Sequence, residues 1–410
     1  MSSESAPLLP QALPTRRDPD KTKGIVSTVV VSVFAVGLVI FLGFPNLLPY
    51  ALGGPLPSDP TRAALLILDR APIIDGHIDL PILLRSLVKN NVSAVDLTQP
   101  FPGHVDIPRL REGKVGGFFG PVYVGCADPE QEGEDFLTST WRVRDTLEQI
   151  DVALLTIDKY PHVFQHAKSS ADIKDAISKG KIASLLGVEG GHQLGNSIAV
   201  LRTYHQLGVR YVTLTHTCHN AFADSCGMAP GKAPLHNGLS PLGLSLIDEM
   251  NRLGVLVDLS HTSDETARQA LLHTKAPVIW SHSSARAVHN HARNVPDDVL
   301  ALIGTGEGKT DGVVMNPGNA TVYTVANHVE HIAKVAGKKH VGLGSDYDGK
   351  AFSFVFAELY TRGWSKTELT GLAGGNLLRV FEGAEEVSRH LQRAQTPPTF
   401  ELYPKRTDMG

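Results

Sequence analysis

Eight short apolar runs recur along this chain, separated by amphipathic segments, and six of them end in histidine or carboxylate side chains. They are Ile73–Asp79, Val115–Val124, Ile182–Val188, Tyr211–Thr215, Val255–Ser260, Pro277–Ser281, Gly312–Asn316 and Val341–Ser345. Each has the length of a buried strand, and alternation with helical segments is the pattern of a parallel sheet with crossover helices. Eight such strands close into an α/β fold of the TIM-like (β/α)8 barrel type, whose functional groups gather at the carboxyl ends of the strands. An open doubly wound sheet would collect its ligand between only two strand ends. The segments between carry matching stop and start signals: Ser197–Leu207 reads as a helix halted by Gly208, and Ser240-Pro241 opens another that ends at Gly254.

The polar residues at these tips are His77, Asp79, Glu189, His216, His261, His282 and Asp346. Neutral imidazoles and carboxylates are the ligands that zinc and its neighbours prefer, so the placement reads as a metal-dependent hydrolase site. His77 and Asp79 stand two apart, and the period of a strand projects both to one face, where they can clasp one ion. No Arg or Lys is near Glu189 in Gly-Val-Glu-Gly-Gly. Burying an unpaired carboxylate is very costly, and a pair of cations bridged by its two oxygens would satisfy it. His261 and His282 end consecutive strands in Leu-Ser-His-Thr-Ser and Trp-Ser-His-Ser-Ser, whose hydroxyls can hold the ring nitrogen that does not ligate. Asp346 is placed to take a proton from an attacking water, and His216, without a ligand role, to polarise a substrate carbonyl. Singly, each has a blander reading: His-x-Asp is commonly a core histidine beside a capping aspartate, and Asp-Tyr-Asp-Gly is good turn sequence.

At 410 residues, 42% hydrophobic and 20% charged, the chain can bury one large core. A formal net charge of -4 and the lack of a basic stripe with interleaved aromatics argue against a nucleic-acid partner. No charged residue occurs between Gly24 and Ser58, and Ile25–Phe44 is apolar enough to span a bilayer. Arg16, Arg17, Lys21 and Lys23 precede this stretch, so the positive-inside rule puts the N-terminus in the cytosol and the catalytic domain in the lumen or outside. The expected organisation is a disordered tail over 1–23, a transmembrane anchor over 24–44, a linker over 45–60, the barrel over 61–390 and a loose tail over 391–410. The sequons at Asn91 and Asn319 fit a glycoprotein of that compartment. Cys126, Cys218 and Cys226 allow one disulfide and one free thiol, in any pairing, or three simple buried cysteines.

From about Ala71 to Glu382 the chain resembles the membrane (renal) dipeptidase family of zinc metallopeptidases, in its fungal, membrane-anchored form. The resemblance is carried by Ile-Asp-Gly-His-Ile-Asp-Leu, Gly-Val-Glu-Gly-Gly-His, Leu-Thr-His-Thr-Cys, Asp-Leu-Ser-His, Ser-His-Ser-Ser-Ala-Arg and Arg-Asn-Val-Pro-Asp-Asp-Val-Leu. Gly-Ser-Asp-Tyr-Asp-Gly and Gly-Gly-Asn-Leu-Leu-Arg-Val-Phe complete it. It implies two zinc ions, one held by His77 and Asp79, the other by His261 and His282, with Glu189 bridging and a water between the ions as nucleophile. It further implies Asp346 as acid/base, His216 as the group that stabilises the oxyanion, Arg293 as the clamp on the substrate carboxylate, and a Cys126–Cys218 disulfide that leaves Cys226 over.

Two segments depart from the family pattern. Asn316-Pro317-Gly318-Asn319 stands where a tyrosine-bearing loop follows in the family, and Lys350–Phe354 replaces a longer loop. The reading is a dipeptidase acting on dipeptides with a free C-terminal carboxylate, with the membrane and a second copy in a homodimer as further partners. The alternatives are another amidohydrolase-like enzyme acting on a small amide or lactone, and a membrane-anchored binding protein whose shortened loops have cost it catalysis.

Overall fold

The structure, a computed structural model, describes residues 56–126, 141–227, 233–304, 306–316, 321–346 and 352–404. Its strands are β1 (Ile73–Asp75), β2 (Val115–Val122), β3 (Phe164–His166), β4 (Ile182–Glu189) and β5 (Val209–Thr213), followed by β6 (Leu256–Asp258), β7 (Val278–Trp280), β8 (Gly312–Asn316) and β9 (Val341–Leu343). Every ladder is parallel, in the order β1-β2-β4-β5-β6-β7-β8-β9. Between the edges β1 and β9 the Gly76 N–H donates to Leu343 O at 3.0 Å. The eight expected runs are thus the eight staves of a nearly closed TIM-like barrel. β2 and β4 are buried at every position, as strands covered on both faces must be.

β3 has no counterpart among the expected strands. It pairs Phe164–His166 with Ile182–Ser184, the lower half of β4, while β5 takes the upper half from Leu186 to Glu189. Phe164-Gln165-His166 has no apolar run of its own and is a strand because that edge is available below β5. The first run is also shorter than expected. β1 stops at Asp75, whose carboxylate accepts the N–H of His77 at 2.9 Å and turns the chain, so His77 and Asp79 do not share a strand face. Asp79 instead precedes the helix Leu80–Val88.

The expected helices form as Ile198–Leu207, closed by Gly208 at φ 112°, and Pro241–Leu253, where the Ser240 hydroxyl accepts the Gly243 N–H at 3.0 Å. Such a cap contributes about 1 kcal/mol. Barrel-filling Ile74, Phe119, Leu185, Tyr211, Ile279 and Met315 form one cluster with Leu377, Val380 and Phe381 of the helix Asn376–Arg393. The staves are therefore held around a core that the C-terminal helix completes.

The boundaries need adjusting. The compact unit begins at Pro57, and the helix Pro60–Arg70 already starts inside the expected linker, capped by Asp59. In the expected loose tail, Thr399 is tethered: its N–H donates to Glu249 and its carbonyl accepts from Arg202 at 2.9 Å. The expectation of a single-pass membrane protein is corrected: no helix among the described residues is long and apolar enough to cross a membrane. The stretch 24–44 on which it rested lies outside the described residues, as does Asn319.

Candidate active site

Glu189, the last residue of β4, is the centre of the barrel mouth. Its Oε1 lies 3.1 Å from His261 Nε2, 3.3 Å from His282 Nε2, 3.6 Å from His216 Nε2 and 3.7 Å from His77 Nε2. Four imidazoles from four strand ends thus converge on one carboxylate oxygen. Around His77 Nε2 stand two more carboxylates, Asp79 Oδ1 at 3.3 Å and Asp346 Oδ1 at 3.9 Å. All seven tip residues meet in one place. The sets His77–Glu189–His282, Glu189–His216–His261 and His77–Asp79–Asp346 each keep their ligand atoms within 4.8 Å of one another.

Backbone geometry shows how tightly these side chains are aimed. His261 and Asp346 both adopt left-handed φ, 63° and 55°, which non-glycine residues rarely hold without a compensating gain. Gly344 permits the approach that brings Asp346 in: a Cβ there would lie 1.7 Å from Ser281 O. Gly190, at φ 115°, does the same after Glu189.

The electrostatics follow from burial. Burial alone would raise the Glu189 carboxyl, but His77, His261, His282 and His216 outweigh it and hold the group well below the usual carboxylate range. Burial also opposes a charge on His77, yet Glu189, Asp79 and Asp346 lift it to about 10. Burial and the Arg293 guanidinium push His261 down to about 3, and burial with the neighbouring His77 pushes His282 well down. Asp346 is raised to about 6, chiefly by burial. These influences favour the charged form of His77 and the neutral form of His216, His261 and His282.

The donor set fits a divalent cation. His77 Nε2 and Asp79 Oδ1 are buried atoms 3.3 Å apart, close enough to share one cation. Neutral imidazoles and carboxylates so placed are what zinc takes. Arg293 reaches the same mouth, its Nη2 donating to His282 O at 3.2 Å. Cys126 and Cys218 are bridged, leaving Cys226 free. The bridge joins the loop of His216 to that of Tyr123, whose ring lies tilted against His216 at a centroid distance of 4.4 Å.

Several residues of this site were not among those expected. Asp75 and Asp258 end β1 and β6 as buried carboxylates, and Tyr211 and Ser281 reach His77 and His282 from behind. The signal available was an acidic residue two or three places before a ligand-type histidine, in Asp-Gly-His and Asp-Leu-Ser-His.

A parallel barrel whose mouth gathers histidines and carboxylates around buried, unpartnered ligand atoms is the framework of a metal-dependent hydrolase. The model of the membrane dipeptidase family, peptidase family M19, matches residues 61–395, and the chain belongs to that family. It is a metallo-dipeptidase. Dipeptidase aclJ of Aspergillus oryzae is 42% identical over 352 residues, covering 79% of this chain and 81% of the relative. An uncharacterized dipeptidase of Schizosaccharomyces pombe is 42% identical over 357 residues, covering 81% and 85%. Among solved structures, the probable dipeptidase PvdM from Pseudomonas aeruginosa superposes with a TM-score of 0.71 at 20% identity, over 81% of this chain and 100% of that one. A metallopeptidase from Rhodobacter sphaeroides, liganded with a phosphinate mimic of the dipeptide L-Ala-D-Ala, does so with a TM-score of 0.66 at 22% identity, over 76% and 99%.

Proposed function

We propose that this dipeptidase works with two zinc ions, one held by His77 and Asp79 and the other by His261 and His282, with Glu189 shared. The observation that carries the reading is the convergence of four imidazoles on Glu189 Oε1 within 3.1 to 3.7 Å, beside the carboxylates of Asp79 and Asp346. Bound zinc supplies Lewis acidity and makes water a competent nucleophile near neutral pH.

The chain's own residues do the rest. Asp346 accepts a proton from the attacking water and returns it to the leaving amine, a task suited to a carboxylate lifted to about 6. His216, held against Tyr123, donates from its ring toward the substrate carbonyl oxygen as negative charge grows there. Arg293 takes the C-terminal carboxylate in a two-pronged contact. Acceptance of D-configured C-terminal residues is part of the proposal on the strength of the family resemblance. The expected homodimer and a glycan on Asn91, which is exposed, complete the proposal. Sedimentation of the purified chain tests the first, and a mass shift on glycosidase treatment the second.

The experiment is a panel of Gly- and Leu-containing dipeptides, the same dipeptides as C-terminal amides, and a small lactone. Hydrolysis confined to the free dipeptides is expected. Equal hydrolysis of amides or lactone would remove the role of Arg293 and favour a broader amidohydrolase.

A further inference from the structure

Behind the histidines a single chain of hydrogen bonds runs to one carboxylate. His77 Nδ1 lies 3.0 Å from the Tyr211 hydroxyl and 3.5 Å from Ser281 Oγ. Ser281 Oγ donates to Asp258 Oδ2 at 2.6 Å, and His282 Nδ1 lies 2.8 Å from the same Oγ. His77, Tyr211, Asp258 and Ser281 are fully buried and His282 nearly so, so water cannot substitute for any link.

Counting donors fixes the direction of the bonds that join Ser281 to Asp258 and to the two histidines. A carboxylate only accepts, so the one Ser281 hydroxyl proton goes to Asp258 and leaves Ser281 as an acceptor toward its other neighbours. His282 Nδ1–H and His77 Nδ1–H must then both donate to Ser281. The Tyr211 hydroxyl oxygen accepts from the same His77 Nδ1–H. Both rings are thus required to carry a proton on Nδ1, and both turn Nε2 toward Glu189, at 3.3 Å for His282 and 3.7 Å for His77.

We propose that Asp258 is a positioning residue for both metal sites at once: through Ser281 it orders His282 and, with the Tyr211 hydroxyl alongside, His77, each as the tautomer that ligates by Nε2. The inference rests on the reading of His77 and His282 as ligands. A metal-binding histidine ordinarily has its own acceptor behind it. Here one serine lets one carboxylate serve two histidines whose ring centroids lie 3.9 Å apart. The rest of Asp258 is occupied by the scaffold, its Oδ1 accepting the N–H groups of Ser260 at 3.1 Å and Ser281 at 2.8 Å, and its Oδ2 the Thr213 hydroxyl at 2.6 Å. His261 lies outside this chain: its Nδ1 is buried and has no hydrogen-bond partner among the described residues.

Cobalt(II) titration of the metal-free full-length chain, against a competing chromophoric chelator and read by d–d absorption, tests it. Ser281→Ala is expected to weaken both equivalents by about 10- to 100-fold, the usual effect of losing the partner behind a ligand, and Ser281→Thr to restore them. Tyr211→Phe, which deletes one oxygen and keeps the ring, is expected to weaken only one equivalent. Thr213→Val, which removes a hydroxyl from the same carboxylate without touching either histidine, should leave both unchanged. The proposal is overturned if Ser281→Ala folds and binds like the unaltered protein, or if Tyr211→Phe and Thr213→Val behave alike. An unaltered protein that takes up no cobalt overturns the ligand assignment itself, and the positioning role with it.

Discussion

Asp75 Oδ1 receives the backbone N–H of Ser345 at 2.8 Å, across 270 residues of chain and across the seam where the first and last staves meet. The same oxygen receives the His77 N–H at 2.9 Å, and Asp346 N–H donates to His77 O at 3.1 Å. One buried carboxylate therefore closes the barrel and sets the distance between a candidate ligand and the candidate acid/base. Asp258 repeats the device between the strand ends of His261 and His282, through the N–H groups of Ser260 and Ser281.

Asp75→Ala leaves two buried N–H groups without an acceptor. Each costs about 1–3 kcal/mol, so a drop of about 3 kcal/mol in unfolding free energy is expected in denaturant titration. Dipeptide turnover should fall with it, because His77 and Asp346 lose their common anchor.

Asp346→Asn keeps a group of the same shape and removes its ability to take a proton. We expect metal content by elemental analysis to be unchanged and kcat to fall by about 10²- to 10⁴-fold, the range of a lost general base. Loss of metal instead would make Asp346 a ligand.

Arg293→Lys retains charge but not the two-pronged contact. A hydrogen bond to a charged group contributes about 1.5–3 kcal/mol, so KM for dipeptides should rise about 10- to 100-fold with a smaller change in kcat.

The Cys126–Cys218 bridge closes a loop of 92 residues. Closing a loop of this length stabilises by about 4.6 kcal/mol in the chain-entropy account. Cys126→Ser with Cys218→Ser should lower the melting temperature accordingly. It should also lower kcat, since the bridge joins the segments that hold Tyr123 against His216.

His166 is lowered to about 4 from an unfolded value near 6.5, first by burial and then by Lys168 and Arg210. A depressed value in the folded state means that the unfolded chain binds the proton more readily. The stability associated with neutral His166 is therefore complete above pH 6.5 and is lost as pH falls toward 4. A series of melting curves should show a steeper acid loss for the unaltered protein than for His166→Phe.

The staves are legible in sequence because parallel strands buried on both faces are unbroken apolar runs, and the tip residues are legible because histidine and carboxylate have no ordinary use there. β3 is not, since Phe164-Gln165-His166 is a strand only by virtue of the edge that β4 leaves below β5. Nor is the end of the first strand: the turn after Asp75 depends on acceptors and donors that come from β9. Asp75 and Asp258 escape notice for the same reason. Each accepts one backbone N–H two positions on and another 270 or 23 positions away, and the local sign of it is only an acidic residue two or three places before a ligand-type histidine.

The central claim is that hydrolysis depends on metal held at Glu189. It is tested most directly by assaying dipeptide hydrolysis on a chelator-stripped sample whose metal content is verified by elemental analysis, then on the same sample titrated with zinc. The account predicts no activity when stripped and full return by two equivalents. Full activity in the verified metal-free sample would contradict it.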